Sequence, residues 1–236
     1  MFNPDADGPH ILSKPCEIDL AKGPNPKCKF TLVAVIETVK AAFRLIAAAV
    51  VVDDGDRVDA ALMAAACECA AIDMPETLAS MKILLCRGAN VDARDKAGST
   101  ALMAAASAGR TANMRLLLDN GADMEAKDKA GNTALLISAG AGPYNPVGVV
   151  YTVEPIKLLI SRGADVNSRN NDGDTALTLA ASAMGYEELA TVKLLLGNGA
   201  DLSARNNKGY SALDLALKHH RRRIVAVLKK AITASP

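Results

Sequence analysis

A segment of sixteen residues, first read as RGANVDARDKAGSTAL, occurs four times in this chain of 236 residues. The copies begin at Arg87, Asn120, Arg162 and Asn198, so their starts lie 33, 42 and 36 residues apart. In every copy, a glycine near the start and an alanine near the end are thirteen positions apart. All variation in the length of the repeat therefore falls between the copies. A constant half joined to an adjustable half indicates a rigid connector and a segment that accepts inserted loops. The chain is therefore predicted to be a row of similar small units.

The constant half of the unit contains the signals for a helix end, a turn and a new helix start. In the first copy Gly88 follows a leucine-rich run, where a glycine in the left-handed conformation commonly ends a helix. Asp95 and Gly98 occupy the first and fourth positions of a predicted type I turn. Thr100 is then a favourable N-cap for the next helix. The other copies have the same or similar residue types there, so the same connector is predicted in each.

The variable half of the unit is predicted to contain two short helices. The first is rich in alanine, as in TALMAAASAG, and the second carries two adjacent apolar residues shortly before the glycine. These pairs are Ile83–Leu84, Leu116–Leu117, Leu158–Leu159 and Leu194–Leu195. Neither helix alone could bury its apolar stripe, whereas stacked units bury it between neighbours. Because the chain contains no tryptophan, three phenylalanines and four tyrosines, the core must be built from aliphatic side chains and methionine.

The unit DKAGSTALMAAASAGRTANMRLLLDNGADMEAK resembles an ankyrin repeat, and the resemblance extends from about Val58 to Ala231. It rests on Gly, Thr-Ala-Leu, Leu-Leu and Gly-Ala-Asp, which occur together in several copies. The resemblance implies an all-α solenoid in which helix-turn-helix repeats are joined by β-hairpin-like turns.

The repeats depart from the family pattern at one position. Where the family often has Thr-Pro-Leu-His, this chain has Thr/Ser-Ala-Leu followed by Met103, Leu136, Thr178 or Asp214. The histidine that braces neighbouring repeats of the family is therefore missing. We expect stability to depend more on packing for this reason.

The chain is predicted to have three segments. Residues 1–30 hold five of the ten prolines and show no clear period, so we expect them to be irregular or mobile. Residues 31–57 are predicted to be an amphipathic helical cap, because Glu37, Lys40 and Arg44 form one polar stripe among apolar residues. Residues 58–236 form the repeat domain. Its units span about 58–94, 95–127, 128–169, 170–205 and 206–236.

Composition and charge argue against several classes of protein. A formal net charge of +1 provides no general attraction to nucleic acid or to membrane surfaces. The five cysteines are odd in number and irregularly spaced, which favours a reducing compartment over a disulfide framework. No secretory signal is apparent, and the charges within Leu32–Val52 argue against a membrane span. We therefore expect a monomeric cytoplasmic protein.

The sequence contains no motif that indicates catalysis. HExxH, GxSxG, CxxC and the P-loop do not occur, and His10, His219 and His220 have no evident nucleophile or carboxylate partner. Cys16 and Cys28 are too unevenly spaced from His10 for a good zinc site. We expect no enzymatic activity, no cofactor and no metal.

The resemblance implies a protein-protein interaction module whose partner contacts the hairpin tips and the surface of the first helices. The matching tip residues are Lys96, Ala97 and Ser99; Lys129, Ala130 and Asn132; Asn171, Asp172 and Asp174; and Asn207, Lys208 and Tyr210. The matching first-helix residues are Ser107, Ala108, Gly140, Ala141, Ser182 and Ala183. Aromatic residues in loops are a further indication of partner contacts. Tyr144, Tyr151 and Tyr186 are predicted either to contact a partner or to fold onto the inserted loops, and Tyr210 is predicted to be exposed.

Two alternatives remain open from the sequence. Six cations and no acid occur in thirteen residues near the C-terminus, which would suit a nucleic acid or an anionic membrane surface. The cations are Lys218, Arg221, Arg222, Arg223, Lys229 and Lys230. We favour a solvated capping helix, because aromatic residues that would stack on bases are absent from this stretch. The other alternative places an effector activity in residues 1–57, which show no catalytic constellation.

Overall fold

The computed structural model describes residues 55–67, 75–140, 153–183 and 188–234. The predicted N-terminal segment 1–30 and all but the last three residues of the predicted cap 31–57 lie outside these ranges. Ala141, Tyr144, Tyr151 and Tyr186 also lie outside them. In the described part of the chain, ten α-helices occur in five pairs, and no β-strand is present. This confirms the all-α helical-repeat fold.

Each unit contributes a first and a second helix to the array. The first helices are α1 (Gly55–Cys67), α3 (Ala101–Ser107), α5 (Ala134–Gly140), α7 (Ala176–Ser182) and α9 (Ala212–Lys218). The second helices are α2 (Pro75–Cys86), α4 (Thr111–Asp119), α6 (Glu154–Ser161), α8 (Glu188–Gly197) and α10 (Arg222–Ala234). Each first helix packs on the second helix of its own unit and on the first helix of the next unit. The units are therefore stacked in sequence order.

The core lies between neighbouring units and is built from leucine, alanine and methionine. Leu84, Leu117, Leu159 and Leu195, the later members of the four apolar pairs, are all fully buried. The earlier members are less uniform, because Ile83 is 40% exposed whereas Leu158 is buried. Burial at the later position in every unit is what stacking of the second helices requires.

Glycine ends the second helices as predicted. Gly121 has φ +85°, and the N–H of Ala122 donates to the carbonyl of Leu117 at 3.1 Å. The N–H of Gly121 donates to the carbonyl of Leu118 at 3.1 Å, which completes a Schellman motif. A residue with a Cβ would strain this left-handed position, so the repeated glycine has a backbone cause.

Three of the first helices, α3, α7 and α9, begin at capping boxes. Thr175 Oγ1 accepts from the N–H of Thr178, and the Thr178 hydroxyl oxygen accepts from the N–H of Thr175 at 2.8 Å. Met103 and Asp214 complete the equivalent boxes with Thr100 and Ser211. The position at which the family often has histidine thus secures the start of a helix here.

Candidate partner-binding surface

Each hairpin tip is held by an Asp or Asn at its first position. Asp95 accepts from the N–H of Gly98 through its carbonyl at 2.9 Å and donates its own N–H to the carbonyl of Ser99 at 3.0 Å. Its Oδ1 also accepts from the N–H groups of Ala97 and Ser99, at 2.7 Å and 2.8 Å. Asp128, the equivalent residue of the next unit, makes the same bonds to its own tip. A tip closed by four bonds has little freedom to lose when a partner binds.

Backbone bonds join neighbouring tips in one register. Lys129 N–H donates to the carbonyl of Ala97 at 3.0 Å, and Asn171 N–H donates to that of Ala130 at 2.9 Å. The series continues from the N–H of Asn207 to the carbonyl of Asp172, also at 2.9 Å. The tips of four units thereby form one continuous row.

Side chains at the tips brace the units as well. Asn170 Nδ2 donates to Asn132 Oδ1 at 3.0 Å, and Asn206 Nδ2 donates to Asp174 Oδ1 at 2.9 Å. Polar side chains therefore do join neighbouring repeats, although the histidine that braces them in the family is absent. The bracing is located at the tips instead of at the histidine position. The signal in the sequence is the Asn that occupies the first turn position in the third and fourth copies.

The predicted tip residues divide into an exposed set and a set engaged in these bonds. The exposed residues are Lys96, Ala97, Lys129, Ala130, Asn171, Asp172, Asn207 and Lys208. The partly buried residues are Ser99, Asn132, Asp174 and Tyr210. Within the exposed set, the amide side chains of Asn171 and Asn207 donate to the carbonyls of Lys129 and Asn171, at 2.9 Å and 2.8 Å. The side chains most available to a partner are consequently those of the lysines, the alanines and Asp172.

The first-helix positions offer fewer polar groups. Ala108 is buried, and the hydroxyls of Ser107 and Ser182 donate to carbonyls of their own helices. Gly140 is exposed at the end of α5, and a Cβ there would lie 3.6 Å from Leu179 Cδ1 of the next unit. Ser182 and Ala183 are half-buried. This surface provides close backbone approach more than specific chemistry.

Tyr210 differs from its predicted exposed state. The residue is half-buried, and the Lys218 ammonium lies 4.8 Å from the centroid of its ring. A cation at this distance over a ring face is attracted by the ring quadrupole. Tyr210 is therefore partly covered by its own chain.

The basic C-terminal stretch lies at the end of α9 and along α10. Arg221 is half-buried, whereas the other five cations are exposed. A cavity of about 290 Å³ at the start of α10 is lined by Leu189, by Glu188 and by the segment His220–Ile224. Burial raises the pKa of Glu188, and the charge of Arg221 opposes that shift. Because a carboxylate lies in this cavity, the cavity is not uniformly cationic.

The described residues contain neither a cluster of metal ligands nor a membrane-spanning helix. Among them, no three or more His, Cys, Asp or Glu side chains are placed so that they could hold a metal ion. No helix in the described ranges is both long enough and apolar enough to cross a membrane.

Comparison with known proteins agrees with this geometry. A family model described as ankyrin repeats (3 copies) matches residues 62–149 and again residues 147–235. Together the two matches cover most of the chain, including all five helix pairs from within α1 onwards. A search of curated proteins found no significant match.

Proposed function

Since this chain belongs to the ankyrin repeat family, we propose that it binds a protein partner through the row of hairpin tips. Repeats of this family are generally protein-protein interaction modules and are typically non-catalytic. The proposal extends this to a particular surface of the chain. The inserted loops that were also predicted to take part lie outside the described residues.

The observation that carries the proposal is the rigid register of the tips. Each tip is closed by its own Asp or Asn, and the N–H groups of Lys129, Asn171 and Asn207 tie consecutive tips together. A surface that is already ordered before binding avoids much of the entropy cost of association. The row therefore suits a partner that contacts several units at once.

The exposed side chains of the row indicate the kind of contact. Lys96, Lys129 and Lys208 are cations on three of the tips, and Asp172 is an anion on the other. Exposed charges of both signs contribute more to orientation and specificity than to affinity. We therefore expect the partner to present a polar surface with several acidic groups opposite the lysines.

The proposal is tested by reversing charge on the tips. A partner is first identified by affinity purification with the full chain. Its dissociation constant is then measured for wild type and for the triple variant Lys96→Glu, Lys129→Glu, Lys208→Glu. We expect the triple variant to bind at least tenfold more weakly, because three favourable contacts become repulsive.

A matched control is available on the second helices. Lys82, Arg115 and Lys193 occupy the same exposed position in three units, away from the tips. Changing these three residues to glutamate alters the net charge by the same amount, and we expect affinity to remain within about twofold of wild type. Equal losses from both triple variants would refute binding through the tips.

The same measurements also test whether the partner binds to the basic C-terminal stretch instead of the tip row. Binding through that stretch would weaken steeply as salt increases, and Arg221, Arg222 and Arg223 changed together to alanine would abolish it. Binding through the exposed lysines of the tip row would also weaken as salt increases, so the arginine variant decides between the sites, and for the tip row we expect near wild-type affinity in that variant.

A further inference from the structure

The last unit exposes first-helix positions that the other units bury. Leu102, Leu135 and Leu177, each followed by a further unit, are fully buried. The equivalent Leu213 of α9 is only half-buried. Four positions after each of these leucines, the interior units have an alanine, and each of these alanines is buried. At that place the last unit has Leu217, which is 49% exposed.

The second helix of the last unit shows the same difference. Met114, Ile156 and Val192 are buried in interior units, whereas the equivalent Val225 of α10 is half-buried. Four residues after this position, the interior units have a half-buried leucine or isoleucine, whereas α10 has the exposed Lys229. Ile232 follows on the same stripe of the helix, because it lies seven residues after Val225, and it is 45% exposed.

We define the terminal face by its four apolar residues and its two cations. The apolar residues are Leu213, Leu217, Val225 and Ile232, and the cations are Lys218 and Lys229. Leu217 stands where the interior units have alanine, so it adds apolar surface at a position that is exposed to water. The terminal face therefore leaves apolar side chains of both helices of the last unit in contact with water.

Charge restricts which molecule the terminal face can bind. No acidic residue occurs between Lys218 and the C-terminal Pro236. Asp214 lies nearby, but its Oδ2 accepts from the hydroxyl of Ser211 at 2.8 Å and is paired with Arg205 Nη1 at 2.9 Å. A second copy of this chain placed with the same face inward would bring like charges together. An acidic partner would not.

We propose that the terminal face binds an amphipathic helix of another protein, with an apolar stripe flanked by Asp or Glu. A helix fits because the equivalent positions of every interior unit pack against helices of the next unit. The apolar stripe covers Leu213, Leu217 and Val225, and the flanking acids pair with Lys218 and Lys229. This inference rests on the proposed function only in that the partner is a protein, since the face is separate from the tips.

The experiment uses a phage-displayed library of random peptides, selected against the immobilised full chain. We expect the selected peptides to carry Leu, Ile or Phe at helical spacing together with Asp or Glu. Synthetic copies of these peptides are then tested for affinity by fluorescence polarisation. Leu217→Ala installs the side chain of the interior units at an exposed position and should weaken binding at least tenfold. Lys229→Glu should also weaken it at least fivefold.

Matched controls separate the face from the rest of the surface. Ile83 is 40% exposed on α2, so Ile83→Ala removes a comparable exposed apolar side chain and should leave affinity within twofold. Lys193→Glu is the corresponding charge control on α8. The inference is overturned if every selected peptide tolerates Leu217→Ala, if the peptides are basic, or if sedimentation shows self-association that Leu217→Ala abolishes.

The outcome for this face is independent of the outcome for the tips. The triple lysine variant of the tips should bind the selected peptides as wild type does. Peptides that lose binding in that variant but not in Leu217→Ala would overturn the inference and leave the proposed function standing. Peptides that depend on Leu217, together with a natural partner indifferent to the tips, would refute the proposed function alone.

Discussion

Leu117→Ala tests whether stacking between units holds the fold together. Leu117 lies on α4, is fully buried, and belongs to the continuous core that runs through the units. The substitution removes three carbon atoms, and their transfer from water to the core contributes about 0.8 kcal/mol each. The cavity left behind adds to this loss, so the free energy of unfolding should fall by roughly 3–4 kcal/mol.

Leu116→Ala is the matched control on the same helix. Leu116 is half-buried, so the same chemical change with the same helix propensity should cost only about 1 kcal/mol. Lys129→Ala, on an exposed tip, should change stability by about 0.5 kcal/mol or less. Urea unfolding followed by far-UV circular dichroism measures all three variants. Equal destabilisation by Leu117→Ala and Lys129→Ala would refute the register of the repeats, and equal effects of the two leucines would refute the assigned burial.

Two further predictions concern the tips and the last capping box. Gly131→Ala should destabilise the chain by more than the roughly 1–2 kcal/mol expected for Gly121→Ala. Both glycines have positive φ. A Cβ at Gly131 would lie 2.7 Å from the N atom of Asn171, whereas a Cβ at Gly121 would meet nothing within 4 Å. Urea melts that rank the two variants in the opposite order would contradict this prediction. Hydrogen bonds from the N–H and hydroxyl of Ser211 hold the pKa of Asp214 below its ordinary value of 3.8. Because a lowered pKa in the folded state stabilises at higher pH, Asp214→Asn should lower Tm at neutral pH. The difference from wild type should shrink below about pH 3.8; a difference that is constant with pH would contradict the role of this carboxylate.

The sequence was sufficient for the ends of the second helices and the starts of the first helices because these depend on local backbone chemistry. Gly88 and Gly121 have the left-handed φ that their place after a leucine-rich run predicts. Thr100 accepts from the N–H of Met103, as an N-cap residue should. The stacking core was also predictable, since Leu117 and Leu159 recur at one position of the unit and are buried in each.

The sequence predicted which residues lie at the tips, but not which of their side chains are exposed. Position in the repeat places Asn132 and Lys129 on the same tip, yet of these two residues Lys129 is exposed and Asn132 is half-buried. Asn132 is taken up by its bonds with Asp128 and Asn170. Which polar side chains remain available depends also on partners in the neighbouring unit, 32 to 42 residues away along the chain, and no local pattern contains that information.

The sequence by itself determined the repeated unit, its helices and its turns, because each of these is fixed by residues a few positions apart. Tertiary structure alone decided which copies of a repeated side chain are covered. Leu177 and Leu213 occupy equivalent positions, but Leu177 is buried by the unit that follows and Leu213 is half-buried at the end of the array. Tyr210 likewise lies beneath Lys218 instead of standing free. Burial is a property of what packs against a residue, so identical positions differ wherever their neighbours do.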